Sequence, residues 1–257
     1  ALNKKLNFNG SSIYSTLEPC THYGVTPPCT NIIKSKKINK VYFCFNDPDT
    51  RTYKKATTKL KRNGIKVKKI SLKNNNFYKS YYLNKIYKLP FVDAKIAVSK
   101  DLRSINKKSK WITNKRSRII SHLIRSKYDC IISTSKTINK DNSMLNCRIN
   151  GLDNFKPDLI IIDRKLKLKK NLKLLNITRK RKTYILTLSK NDKKISFFQK
   201  KGIKVIKLKN LNSKRDFKII LDKIFYLGKS RALIEAGMTF INKFIKYKFI
   251  NDFYIFK

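Results

Sequence analysis

No apolar run in this 257-residue sequence approaches the roughly 18 to 20 residues that a membrane-spanning helix requires, which excludes a helical membrane protein. The first residues, ALNKKLNFNG, are polar and mixed and lack the apolar stretch of a secretory leader. Glycine is scarce, at 7 residues, and nowhere forms the Gly-rich fingerprint of a dinucleotide-binding turn. Acidic residues are few: 15 Asp and Glu stand against 62 Lys and Arg, for a formal net charge of +47. The five cysteines are odd in number and spread through a long chain, so a disulfide framework is not expected. There is no internal repeat and no segment of low complexity. What remains is a soluble, cytoplasmic protein with a hydrophobic fraction of 41%, enough for packed cores in one large domain or two ordinary ones.

The charge has two readings. A strongly basic chain attracts nucleic acid when its cations form one arm or stripe. Here the lysines are scattered over the whole chain and accompany abundant Ile and Asn, the combination that A- and T-rich codons produce. Compositional drift is the reading the distribution favours, and nucleic acid is not the expected partner.

Apolar alternation and turn signals give a β-loop-α-β-α-β order in the first part. Strands are expected at 12–17, 41–45 and 65–70, and helices at 30–37 and 53–63, with Gly64 as a helix stop. A polar, aromatic connector runs over 71–89. A second α/β unit follows, with strands at 91–99, 130–135, 159–163, 183–188, 204–209, 232–237 and 253–256. Helices are expected at 114–127, 216–227 and from Gly237 to about Lys246. Residues 165–182, nearly all basic or aliphatic, are expected to be exposed.

The sharpest local signal is the loop that holds Thr16-Leu17-Glu18-Pro19-Cys20 and Pro27-Pro28-Cys29. Two thiolates at the mouth of a strand-to-helix loop suit zinc. A catalytic zinc keeps three protein ligands and one open position for water. As a bare cysteine pair, Cys20 and Cys29 are equally well read as small buried hydrophobes.

The phrase TLEPCTHYGVTPPC, with NDPD at 46–49, resembles the deaminase half of the bifunctional riboflavin-biosynthesis deaminase/reductase family. That resemblance makes Cys20 and Cys29 metal ligands for Zn2+. The family's zinc His and catalytic Glu lie in an HAE motif, which this chain does not contain. The resemblance therefore places the deaminase Glu upstream of Ala1, leaves the zinc site incomplete, assigns no catalytic residue within the chain and implies no deaminase activity. His22 is not carried over as a ligand.

From Pro90 onward the chain resembles the reductase half of the same family. The matching residues are Lys95, Ser99 and Asp101 in AKIAVSKD, then Ser109, Trp111-Ile112-Thr113, Arg125, Thr137, Asp141, Leu145, Arg148 and Glu235-Ala236-Gly237. The resemblance implies a fold of α/β class. A truncated cytidine-deaminase-like three-layer domain (1–88) would precede a dihydrofolate-reductase-like domain (89–257) that stops short of the family's last strands and leaves an exposed strand edge. It also implies a phosphorylated pyrimidine, 5-amino-6-(5-phosphoribosylamino)uracil, as substrate and NADPH as cofactor, with hydride delivered to C1′ of the opened sugar.

Ala97, Trp111, Thr137, Asp141 and Gly237 would bind the cofactor. Ser109, Arg125, Leu145, Arg148 and Glu235 would bind the substrate, with the two arginines on its phosphate. Homo-oligomers would form through the reductase domain. The family's SLDG stands here as SKDL, with Lys100 and Leu102 replacing Leu and Gly, and the loop from Asp101 to Ser109 looks shortened. Two other readings stay open: a basic nucleic-acid-binding protein on a deaminase-like fold, and an inactive fragment.

Overall fold

A computed structural model describes residues 7–72, 78–101, 112–152, 157–178 and 180–257. The chain divides into two compact units, Ala1–Tyr87 and Lys88–Lys257.

In the first unit, β1 (Ser12–Leu17), β2 (Lys40–Phe45) and β3 (Lys66–Lys69) form a parallel sheet in the order β1-β2-β3. Helices α1 (Cys29–Ser35) and α2 (Lys55–Lys61) supply the crossovers that parallel pairing requires. Ile13, Val41 and Val67 lie side by side in register and share one core with Ile33 of α1 and Leu60 of α2. Successive strand residues alternate faces, so Tyr14 and Tyr42 stack on the opposite side, with ring centroids 4.6 Å apart. Helices α1 and α2 pack on the Ile13 face, and Tyr78 from the connector reaches Thr16 on the tyrosine face. The connector is partly helical: α3 (Lys79–Tyr82) runs into a π turn over Leu83–Tyr87.

The second unit is a seven-stranded sheet in the order β10-β4-β9-β5-β6-β7-β8, and every pair is parallel. Its strands are β4 (Phe91–Ala97), β5 (Cys130–Thr134), β6 (Asp158–Ile162), β7 (Thr183–Thr187), β8 (Ile203–Lys207), β9 (Arg231–Ile234) and β10 (Phe253–Phe256). A parallel sheet buries both faces, and near-continuous apolar runs such as LIII in β6 are the sequence signature of that burial. On one face Val92, Ala94, Ala232, Ile132, Ile160 and Leu186 meet α7 (Lys214–Tyr226) and α8 (Met238–Lys246). On the other face Ile131, Leu159, Ile161 and Ile185 meet Ile138 of α5 (Ser135–Asp141) and Ile195 and Phe198 of α6 (Asp192–Lys200). Ile124 of α4 (Lys115–Arg125) covers Leu233 on that same side.

Two helices go beyond the sequence reading, α5 and α6. Each is set by a side-chain cap: Thr134 accepts from the Thr137 amide and Asn191 from the Lys194 amide. The expected exposure of 165–182 is corrected. Leu166, Leu168, Leu172, Leu174 and Arg181 are buried. The Asp163 carboxylate accepts from the amides of Lys167 and Leu168 at 2.8 and 2.7 Å, and Asn139 and Asn142 accept from those of Lys169 and Lys173. With its backbone donors satisfied, the segment lays its leucines on the core and turns its lysines outward.

Candidate functional site

In the first unit the cysteine loop is organised by Glu18, only 2% exposed. Its carboxylate accepts from the Asn46 amide group and from the backbone N–H groups of Asp47, Lys54 and Ala56, at 3.0 to 3.2 Å. One side chain thus ties TLEPC to the NDPD turn and to the start of α2. Tyr81 and Tyr82 close the loop from the connector by donating to the Asp47 carboxylate and the Asn46 carbonyl.

The sulfurs of Cys20 and Cys29 face each other at 3.2 Å, and the Cys29 amide donates to the Cys20 sulfur. Burial, reinforced by the hydrogen bond with Cys20, pushes the Cys29 thiol up. The His22 ring pairs through Nδ1 with the Thr52 hydroxyl at 3.0 Å. No group of three His, Cys, Asp or Glu side chains that could hold a metal occurs among the described residues. Two sulfurs supply two of the three protein ligands of a catalytic zinc, so this donor set does not make one.

In the second unit the expected site residues among those described lie on five segments: Ala97 at the end of β4, Arg125 in α4, Thr137 and Asp141 in α5, Leu145 and Arg148 after it, and Glu235 and Gly237 after β9. Glu235 follows β9, between β4 and β5, on the face shared with Leu233 and α4. Arg125, in the last turn of α4, donates to it in a bidentate pair, Nε–Oε1 at 2.5 Å and Nη2–Oε2 at 2.9 Å. Lys95 of β4 reaches the same carboxylate at 3.7 Å. Side-chain exposures of 8% for Glu235 and 12% for Arg125 make this a buried pair. Burial alone would raise the Glu235 carboxyl; the charge and hydrogen bonds of Arg125, with Lys95 behind, hold it at about 2. Arg125, expected on the substrate phosphate, is thus paired with a carboxylate in this structure.

Arg148 is placed differently. Its Nη1 donates to the Asn146 side-chain carbonyl at 2.9 Å and its Nη2 lies 3.3 Å from His122 Nε2. Among the described residues no carboxylate comes within ion-pair distance of it. Burial and then repulsion from Arg125 lower its pKa. The segment that carries it is held from below by Arg181, which donates to the carbonyls of Met144, Leu145 and Pro157. Burial and then Arg125 bring Arg181 to about 10, still cationic at neutral pH. Leu145 is buried at φ +49, a left-handed conformation that a leucine adopts only under tertiary constraint.

The expected cofactor residues among those described lie on three elements, and none of them lines the groove beside α5. Ala97 ends β4. Thr137 pairs its hydroxyl with that of Thr134 at 3.0 Å in the first turn of α5, and burial raises the Asp141 carboxyl at the other end of that helix. Gly237 caps α8 with φ −68°, ψ 154°, angles any residue adopts, and a Cβ there would meet nothing within 4 Å. Glycine is thus not required by the backbone. Beside α5 lies a groove of about 470 Å³ lined by Ser135, Lys136, Asn139, Lys140, Lys167 and Lys169. Four ammonium groups around an open groove suit the phosphates of a dinucleotide. Ser109 and Trp111 lie outside the described residues, as does the loop to Asp101 with Leu102.

Sequence reasoning missed His122, Asn146 and Arg181. His122 stands three residues before Arg125 on the same helix face, a usable signal. Asn146, acting through its carbonyl and side-chain oxygens, and Arg181, acting on backbone carbonyls, left none.

The family model described as the RibD C-terminal domain matches residues 90–256. The riboflavin biosynthesis protein RibD of Aquifex aeolicus is 31% identical over 255 residues, covering 96% of this chain and 68% of that protein. The solved structure of Acinetobacter baumannii RibD superposes with a TM-score of 0.78 at 25% identity, covering 96% of this chain and 69% of that one. A Thermotoga maritima structure described as a diaminohydroxyphosphoribosylaminopyrimidine deaminase/5-amino-6-(5-phosphoribosylamino)uracil reductase does so with a TM-score of 0.78 at 25% identity, covering 95% and 67%. The chain spans about two thirds of the length of these relatives.

Proposed function

The chain belongs to the family of the RibD C-terminal domain, and from that premise we propose that its second unit is an NADPH-dependent reductase of riboflavin biosynthesis, converting the ribosyl group of 5-amino-6-(5-phosphoribosylamino)uracil to ribityl. The observation that carries this reading is that Lys95 and Arg125 meet on Glu235, the residue after β9, while Arg125 also donates to the Asn146 carbonyl beside Arg148. A small anionic substrate suits that cluster better than nucleic acid does, since its cations are few and fixed around one buried carboxylate.

The residues divide the work by their partners. Arg148, a cation held by neutral acceptors, is the arm for the substrate phosphate. Arg125 and Lys95 neutralise Glu235 and keep it ionised, so its carboxylate can accept from hydroxyl or amino groups of the substrate. Trp111 and Ser109 take the roles the resemblance gives them. Ala97, Thr137, Asp141 and Gly237 would hold NADPH, with the lysines beside α5 facing its phosphates. The bound cofactor supplies the hydride; the chain positions the acceptor carbon and excludes water.

For the first unit we propose a zinc-deaminase-like domain whose Cys20 and Cys29 are two of its metal ligands. The described residues offer no third ligand and no general acid, and no deamination step follows from them.

The experiment is steady-state NADPH oxidation with the phosphorylated uracil. The expected result is turnover, with the KM for that substrate raised roughly tenfold in Arg148→Ala, the loss of one charged hydrogen bond of about 1.5 kcal/mol. The KM for NADPH should move much less. An unchanged substrate KM would remove Arg148 from the phosphate site.

A further inference from the structure

His122 has so far been given no role, yet it touches both Asn146 and Arg148, beside Arg125. Its Nδ1 is 2.9 Å from the Asn146 carbonyl oxygen and its Nε2 is 3.3 Å from Arg148 Nη2. The Arg148 amide donates toward Nδ1, at 3.3 Å. Two of these three contacts are satisfied by one tautomer and one by the other. With the proton on Nδ1, the ring donates to the Asn146 carbonyl and accepts from the Arg148 guanidinium at Nε2. With the proton on Nε2, an N–H would face the guanidinium N–H and a lone pair would face the carbonyl, leaving only the longer amide contact. A doubly protonated ring would set a third cation beside Arg125 and Arg148.

We infer that His122 is a positioning residue: neutral and protonated at Nδ1, it bridges the Asn146 carbonyl to the Arg148 guanidinium and so fixes the direction in which Arg148 meets an anionic substrate. This deepens the reading of Arg148 as the phosphate arm and rests on it.

The surroundings support the assignment. The Asn146 carbonyl also accepts from Arg125 Nη1 at 3.1 Å, and the Asn146 side chain takes Arg148 Nη1. His122 and Asn146 therefore grip both terminal nitrogens of the Arg148 fork, a long side chain that would otherwise lose much rotamer entropy on binding. Burial, then the charges of Arg125 and Arg148, keep the ring neutral, with its pKa brought down to about 4.

The test compares His122→Ala, His122→Gln and Arg148→Ala in the whole chain. A glutamine amide can donate to the Asn146 carbonyl and accept from Arg148. The expected result is a KM for the phosphorylated uracil raised about three- to tenfold in His122→Ala, the worth of one hydrogen bond, with kcat changed less than about twofold. His122→Gln should return KM to within about twofold of the parent. If Arg148→Ala raises KM and His122→Ala does not, the inference fails while the phosphate assignment stands. If Arg148→Ala leaves KM unchanged, the phosphate assignment fails and His122 has nothing to position. Equal impairment in the alanine and glutamine variants would mark a packing role and also overturn it. Independently, the side-chain nitrogen shifts of His122 near pH 7 should report a neutral Nδ1–H ring; an Nε2–H ring or an imidazolium would contradict the bridge.

Discussion

Glu18 in the first unit and Glu235 in the second are both buried carboxylates, but their partners differ. Glu18 is surrounded by an amide side chain and three backbone N–H groups, all from within about 40 residues of it in the chain. Glu235 faces Arg125 and Lys95, which are 110 and 140 residues away. The first arrangement fixes a loop and adds no free charge. The second stores opposite charges in a dry place, at an edge where an anionic ligand is expected. Removing a partner from the first costs hydrogen bonds; removing one from the second leaves an ion without its counter-charge.

That contrast sets the largest expected effect. Arg125→Ala should cost about 3–5 kcal/mol of stability in the second unit, because Glu235 would stay buried beside Lys95 alone. Glu18→Gln should cost about 1–3 kcal/mol in the first. Urea unfolding, followed by probes specific to each unit, checks both. Equal losses would erase the distinction.

Acid should act on the Glu235 pair next. The folded Glu235 carboxyl lies at about 2 against 4.5 for the free group, so between those values the unfolded chain binds the extra proton. Stability is then full above about pH 4.5 and falls as pH drops toward about 2, by on the order of 3 kcal/mol. His122 acts earlier and in the same direction. Its pKa is about 4 folded against 6.5 free, held down by burial and by Arg125 and Arg148, with Glu235 opposing. The unfolded histidine protonates first, so stability is lost as pH falls from about 6.5 to about 4. His122→Gln should flatten that upper limb and leave the lower one. An unaltered upper limb would contradict a neutral His122.

The smallest expected effect concerns Gly237. Its ordinary backbone angles and open surroundings predict a change within about 0.5 kcal/mol for Gly237→Ala in unfolding experiments. If cofactor approaches there, the KM for NADPH should nevertheless rise. A stability loss well above that figure would mean the glycine serves the fold.

The same contrast explains what the sequence could be read for. The loop around Glu18 is made of contiguous phrases, TLEPC, TPPC and NDPD, and is legible as strings. Strands such as LIII and TYILT announce themselves by unbroken apolar runs. By contrast, α5 has one buried aliphatic residue, Ile138, and its start depends on the Thr134 cap, so periodicity gives no warning of it. The lysines of 165–182 hid four buried leucines. In the site, Arg125, Arg148 and Glu235 could be singled out only through resemblance, and their distinct roles not at all. Arg125 becomes a paired ion, and Arg148 one with no carboxylate partner among the described residues, only when β9 sets Glu235 beside α4. His122 meets Arg148 from 26 residues away, and Arg181 meets Leu145 from 36, through a turn whose left-handed leucine no pattern reveals.

The division of roles proposed for the two arginines, Arg148 for the substrate phosphate and Arg125 for Glu235, is tested most directly by NADPH oxidation with the parent and with Arg148→Ala, each on the phosphorylated uracil and on its dephosphorylated counterpart. The parent should prefer the phosphorylated compound by about tenfold or more in kcat/KM, the worth of a charged hydrogen bond. Arg148→Ala should lose most of that preference by falling on the phosphorylated substrate alone. A variant that keeps the parent's preference, or that falls equally on both compounds, would overturn the division.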